Sequence, residues 1–141
     1  MRIQKHLSAL TEYFSTQPHV VAIYVYGSQA RGTANALSDI DIAVMLDLQK
    51  KDTDRLHLQF IDKLMQIFQT DAVDVQILTP QTAPVLALEM IKGKPVYVKS
   101  TAQKANIEAQ IMSRYQDFQP FLKLQITEME KRLKESTYAA E

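Results

Sequence analysis

Two aspartates one residue apart, Asp39 and Asp41, follow a Gly27–Ser28 pair with ten residues between. Alternate side chains of a strand share one face. Both carboxylates therefore point the same way, and Ile40 and Ile42 point into a core. Side-by-side carboxylates repel each other unless a cation lies between them. Oxygen donors with no histidine or cysteine nearby suit Mg²⁺ or Mn²⁺. Gly27 permits a sharp turn at the end of a strand, and Gly32 permits a second bend. Ser28 opens a helical turn, where a hydroxyl and free backbone N–H groups face an anion. The chemistry implied is a nucleotide-phosphate turn beside a pair of metal-binding carboxylates. An Asp-x-Asp alone reads more readily as a solvated turn or strand end. The combination of strand, Gly-Ser, gap, Ser38-Asp39-Ile40-Asp41 and second strand carries the reading.

Two apolar runs must hold this segment. Val20 to Tyr26 is nearly continuous in apolar character, as expected of a strand buried on both faces, and Asp41 to Leu46 forms the second strand. Upstream, Ile3, Leu7, Leu10 and Phe14 recur at helical spacing, so Met1 to Gln17 reads as an amphipathic helix ended near Pro18. Downstream, Leu48 to Lys51 is a polar turn, and Asp52 or Thr53 caps a helix running to about Phe68. Its buried stripe is Leu56, Phe60, Leu64 and Phe68. His6, His19 and His57 read as solvated, with no metal role.

After a connection at Thr70 to Ala72, Val73 to Leu78 is a third strand. Within it stands Asp74, between Val73 and Val75. A charge in a valine-rich strand is costly unless it is paired, binds metal or faces water. Asp71 is the competing carboxylate, but it lies in the connecting turn. Pro84 suits a helix start, so Val85 to Lys92 reads as a short helix with Leu86 and Met90 at contact spacing, and Gly93 as its C-cap. Lys94 to Val98 returns as a strand, at an edge because of Pro95.

From Thr101, Ile107, Ile111, Tyr115, Phe118, Leu122, Ile126, Met129 and Leu133 step by three and four, a sustained helical stripe. Pro120 should kink or split it. Met112, Phe121 and Leu124 add apolar surface outside the stripe. Such a length exceeds what one small sheet needs, so the stripe divides between packing on the sheet and a projecting part that binds a partner. Ser136 to Glu141 should fray.

Composition sets the bounds. At 141 residues the chain suits one domain with a real core. Sixteen basic and sixteen acidic residues leave no net charge, which argues against direct nucleic-acid binding. The absence of cysteine excludes disulfides, thiolate zinc sites and cysteine nucleophiles. No apolar signal core or bilayer-length run is present, so a cytoplasmic protein with no membrane role is expected.

The run Gly27-Ser28-Gln29-Ala30-Arg31-Gly32-Thr33-Ala34, then Ser38-Asp39-Ile40-Asp41, resembles the signature of the DNA polymerase beta nucleotidyltransferase superfamily, and in particular its minimal nucleotidyltransferase (MNT) branch. The resemblance covers roughly Ile3 to Val98. It implies an α/β fold, a small mixed sheet with packed helices. Residues 1–100 would form the nucleotidyltransferase domain and 101–141 a C-terminal helical extension of it. Members place a third carboxylate on a neighbouring strand, and Asp74 sits where that residue should be. The resemblance thus assigns Asp39, Asp41 and Asp74 to catalysis and to one or two Mg²⁺ ions, with Mn²⁺ an alternative. It assigns Gly27, Ser28, Arg31 and Ser38 to the nucleotide, ATP. Arg31 would steady the departing pyrophosphate; its other reading is a solvated surface arginine.

The C-terminal region is similar, more loosely, to the MntA-like antitoxins of type VII HEPN/MNT toxin–antitoxin systems. These are described as transferring AMP from ATP to a tyrosine hydroxyl of a HEPN-domain RNase toxin, which silences it. That implies a toxin encoded next door and a hetero-oligomer with it. Two alternatives stay open: an aminoglycoside-type nucleotidyltransferase, whose acidic acceptor pocket would draw on Glu108, Asp117, Glu128 and Glu130, and a non-catalytic antitoxin acting by binding alone.

Overall fold

The computed structural model describes residues 3–28, 32, 39–47 and 53–139. Four strands, β1 (Val20–Tyr26), β2 (Ile40–Leu46), β3 (Val73–Leu78) and β4 (Lys94–Val98), form one mixed sheet in the order β3-β2-β1-β4. β1 pairs antiparallel with β2 and β4, and β2 pairs parallel with β3. Among the described residues four α-helices cover this sheet: α1 (Leu7–Ser15), α2 (Thr53–Phe68), α3 (Pro84–Ile91) and α4 (Thr101–Ala139). The expected mixed α/β architecture is thus present.

The two central strands are apolar throughout because both faces are covered. All seven residues of β1 are buried, and six of seven in β2. On one face Ile23, Val25, Ile40, Ile42 and Val44 meet α1 and α2 through Leu10, Phe14, Phe60 and Leu64. Phe14 and Phe60 pack with ring centroids 5.3 Å apart. On the other face Tyr24, Tyr26, Ala43, Met45 and Leu78 meet Ala87 and Met90 of α3 and Ile107 and Ile111 of α4. The sole exception to burial in β2 is Asp41, and its alternation with Ile40 and Ile42 puts it on the α3–α4 face.

Connections follow local chemistry. α2 ends with Gln69 in the left-handed region (φ 56°) and Thr70 N–H donating to Met65 O at 3.3 Å, a Schellman-type closure. Pro84 occupies the start of α3, where its missing N–H has no intrahelical partner to lose. Ser100 starts α4, its hydroxyl accepting from Gln103 N–H at 3.2 Å.

Several expectations change. The N-terminal helix is shorter: Gln4–His6 is a 3₁₀ turn before α1. His6 is not simply solvated; it lies edge-on to Phe68, centroids 5.5 Å apart, because the start of α1 sits over the end of α2. His57 is half-buried and bonds Val75 O through Nε2. Its helix flanks β3, an edge strand whose outward carbonyls have no neighbouring strand. His19 is exposed, as expected, with Asp47 at 3.3 Å. In α3, Ala87 and Met90 are buried and Leu86 is 42% exposed. Gly93 does not adopt a left-handed conformation. A Cβ there would lie 2.8 Å from the Tyr26 Cβ and overlap Val25 O, so close approach to β1 demands glycine at this point.

The C-terminal helix shows the largest difference. It is one 39-residue helix that runs through Pro120 without splitting, and on through Ala139. Only Ile107 and Ile111 of its stripe are buried; Ile126, Met129 and Leu133 are exposed, with Met112, Phe121 and Leu124. Beyond its first three turns the described helix is mostly exposed, Pro120 included, with Phe118 and Leu122 half-buried on either side of it.

Candidate active site

The ends of three adjacent strands build the site. β1 ends at Tyr26, β2 begins at Ile40 and β3 begins at Val73, and antiparallel and parallel pairing bring these ends to one edge of the sheet. The register sets Tyr26 opposite Asp41, and Asp41 opposite Asp74. Three residues from distant parts of the chain thus form one rung across β1, β2 and β3. Register partners share a face, so both carboxylates project on the α3–α4 side.

Gly27 follows directly. It is in a turn with φ 69°, a conformation that costs other residues about 1–2 kcal/mol. A Cβ at this position would overlap Asp41 Oδ2 and lie 3.3 Å from Asp41 Cγ. The Asp41 carboxylate therefore rests against bare backbone at the turn. Ser28, next along, is helical and half-buried. Turn, helical serine and carboxylate are contiguous, as the spacing of the motif predicts. Asp39 is exposed just before β2. Asp74 is exposed at the start of the edge strand, its Oδ1 accepting from Gln76 Nε2 at 3.2 Å. Asp71 is exposed in the turn preceding β3, off the rung. Arg31 and Ser38 lie outside the described residues.

Two residues join the site that sequence alone marks only as a strand end and a helix position. Tyr26 is 8% exposed. Burial pushes its hydroxyl up to about 12, and the charges of Asp74, Asp41 and Glu89 add to that in this order. The fourth carboxylate comes from α3: Glu89 is exposed on the helix face beside the rung. The available signals were the alternation of Tyr24 with Tyr26, which puts both rings on the α3–α4 face, and the position of Glu89 next to buried Met90.

The donor set fits a hard divalent cation: carboxylate oxygens in direct register, with no nitrogen or sulfur ligand beside them. Asp41 and Asp74 are its nucleus. Among the described residues no three histidine, cysteine, aspartate or glutamate side chains converge closely enough to hold an ion. Asp39 therefore stands next to the pair and does not close a three-carboxylate cluster with it.

The sequence profile of the family described as polymerase beta, nucleotidyltransferase matches residues 8–102. The chain belongs to the polymerase beta nucleotidyltransferase family. That match spans every strand and ends at the first turn of α4. No curated protein sequence matches the chain. Solved structures similar to this nucleotidyltransferase include a toxin–antitoxin MntA–HpeT mutant with two aspartate-to-glutamate substitutions, at TM-score 0.72 and 21% identity over 89% of this chain and 98% of that one. A toxin–antitoxin with AMP-PNP gives 0.68 and 24%, over 92% and 96%. A tri-AMPylated Shewanella oneidensis HEPN toxin in complex with an MNT antitoxin gives 0.68 and 20%, over 92% and 99%. At these identities the likeness is one of fold. It extends over nearly the whole of each matched chain, so the long C-terminal helix belongs to the shared architecture. Among the described residues no helix is long and apolar enough to cross a membrane.

Proposed function

We propose that this nucleotidyltransferase is the antitoxin of a HEPN/MNT pair and a protein adenylyltransferase. It moves AMP from ATP to a tyrosine hydroxyl of its cognate HEPN RNase toxin, and the modification neutralises the toxin. The Asp41–Asp74 register pair against the Gly27 turn carries the reading, since it sets acidic oxygens beside a phosphate-binding turn in a family of nucleotidyl transferases. Support for the acceptor comes from the similar structures: one holds an AMPylated HEPN toxin and another an ATP analogue. Residues 1–100 are the catalytic part and 101–141 the extension that meets the partner; the exposed apolar side chains of α4 suit that division. The pair would act in the cytoplasm.

In this reading Asp41 and Asp74 would hold Mg²⁺, with Asp39 turning in to join them when the ion binds, and the ion would neutralise phosphate charge. Gly27 lets the chain pass close to Asp41, and Ser28 offers its hydroxyl and backbone N–H to the triphosphate, with Arg31 and Ser38 completing the nucleotide site. Asp74, on the exposed edge strand, accepts the proton of the incoming tyrosine hydroxyl. The tyrosine oxygen forms a bond to the α-phosphorus, the bond from that phosphorus to the bridging oxygen breaks, and pyrophosphate leaves. The partner supplies the acceptor. An aminoglycoside-type acceptor pocket loses support because Glu108 is engaged by Tyr24 at 2.5 Å and Lys104 at 3.0 Å.

The test is the intact mass of the neighbouring HEPN-domain gene product after incubation with this chain, ATP and Mg²⁺. One or more AMP masses, lost with Asp39→Asn or Asp41→Asn, are expected. A stable complex with no mass gain would instead show inhibition by binding alone. Neither a complex nor a mass gain would return the small-molecule acceptor to consideration.

A further inference from the structure

The C-terminal helix is long and thinly attached. Among the described residues only Ile107 and Ile111 of its apolar stripe are buried, in the cluster that α3 shares with the sheet. Apolar burial holds a helix down but is non-directional, so a seam of two side chains does little to fix its tilt. Two polar attachments flank that seam. At about 3.6 residues per turn, Glu108 lies to one side of Ile107 and Ile111, and Arg114 to the other. Glu108 Oε1 accepts from the hydroxyl of Tyr24, a fully buried residue of β1, at 2.5 Å, and from Lys104 Nζ at 3.0 Å. Lys104 also stands 5.7 Å from the centre of the Tyr24 ring. Burial, and then the bond to Glu108, raise the Tyr24 hydroxyl well above the ordinary phenol range, so it stays a donor. Arg114 Nη1 donates to Pro80 O and, at 3.4 Å, to Thr82 O. The turn that presents these carbonyls is itself fixed. Thr79 N–H donates to Thr82 Oγ1 at 3.0 Å, Gln81 N–H to Thr79 Oγ1 at 3.2 Å, and the Thr82 hydroxyl to Ile77 O at 3.3 Å. One attachment thus ends on β1, which runs into the Gly27 turn, and the other just after β3, which carries Asp74.

We infer that Arg114 and Glu108 are positioning residues for the protein partner: together they set the direction in which the exposed part of α4 leaves the sheet, and so where a partner held by that helix stands relative to the Asp41–Asp74 rung. The inference rests on the reading that α4 meets the HEPN partner. From Arg114 to its end at Ala139 the helix runs on for about 38 Å, at about 1.5 Å per residue. A tilt of about 10° at its root would carry that end about 6–7 Å sideways. Misplacement of a reacting group by about 1 Å already costs about 100-fold in rate, so a helix that presents an acceptor needs a fixed direction. Hydrogen bonds demand both distance and angle, and polar groups at a packed seam specify register where apolar contacts do not. Both attachments refer α4 to the strands that build the site.

The experiment uses the full chain. It has no cysteine, so Gln59→Cys on α2 and Lys131→Cys on α4, both at exposed positions, give two nitroxide labels and one distance by double electron–electron resonance. Into that background go Arg114→Met, which keeps the stem and deletes the donors, and Tyr24→Phe, which keeps the ring and deletes the donor to Glu108. Thermal melts verify that each variant is folded. Both should broaden or shift the distance by several ångström. Arg114→Lys, still a donor, should restore much of it. Arg132→Met, which removes a guanidinium from the exposed part of α4, should leave it unchanged. With the HEPN product as acceptor and without labels, Arg114→Met should raise the KM for that protein about tenfold, because docking must then order the helix, and leave the KM for ATP unchanged. A merely structural role would not split the two. Unchanged distances in both variants would overturn the inference. A displaced helix with a wild-type KM for the HEPN product would also overturn it and leave the partner reading standing. A wild type that neither binds nor modifies the HEPN product would overturn the partner reading and this inference with it.

Discussion

Replacing Gly27 by alanine perturbs two things at once, and their sizes differ. The first is backbone. At φ 69° an alanine costs about 1–2 kcal/mol, which for a domain of this length lowers Tm by about 3–7 °C. The second is position. The new methyl overlaps Asp41 Oδ2 and comes within 3.3 Å of Asp41 Cγ, so the carboxylate must give way. Misplacement of a reacting group by about 1 Å costs about 100-fold in rate. Gly32 separates the two effects: it has φ 72°, and among the described residues a Cβ there meets nothing within 4 Å. Gly27→Ala and Gly32→Ala should therefore lose similar stability by thermal melt, while only Gly27→Ala loses most Mn²⁺ binding and the bulk of AMP transfer. Equal functional losses, or transfer by Gly27→Ala at the wild-type rate, would refute the claim that Asp41 rests against the bare turn.

Alkaline pH gives a second prediction. The Tyr26 hydroxyl is raised from 10.0 to about 12 in the folded chain, so the folded state keeps its proton where the unfolded chain loses it. This contribution is complete below pH 10 and disappears as pH rises toward 12, a loss of about 2–3 kcal/mol. Urea titrations across that range should show a shallower decline for Tyr26→Phe; parallel declines would contradict the assignment. In the core, Ile111→Ala should cost about 2–5 kcal/mol in denaturant titrations, since Ile111 is 1% exposed between α4 and the sheet. On the exposed part of α4, Leu124→Ser and Met129→Ser should leave the isolated chain within about 0.5 kcal/mol of wild type and weaken capture of the HEPN partner in pull-downs. Gly93→Ala should destabilise strongly in a melt, because its methyl meets the backbone oxygen of Val25 and not a flexible side chain.

Sequence by itself determined much of this protein. Strands β1 and β2 were legible because both their faces are covered, which makes their residues apolar without interruption. The stripe of α2 and the proline at the head of α3 were legible because helix geometry writes a period of three to four, and a preference for proline at the first position, directly into the chain. Gly27, Ser28, Asp39 and Asp41 sit within one local stretch, so their spacing alone announced a turn beside a pair of carboxylates. Pairing and packing decided the rest. That Asp74 stands beside Asp41, and Asp71 does not, depends on the register of two strands separated by a whole helix. His57 was unreadable because its partner is a carbonyl on an edge strand, and edges exist only once the sheet is assembled. Tyr26 and Glu89 joined the site for the same reason: one belongs to a strand and the other to a helix, and the packing of α3 on β1 brings them together. The stripe of α4 is continuous in the sequence, yet the sheet reaches only its first turns. Periodicity records which face of a helix is apolar; the size of the fold sets how much of that face is covered.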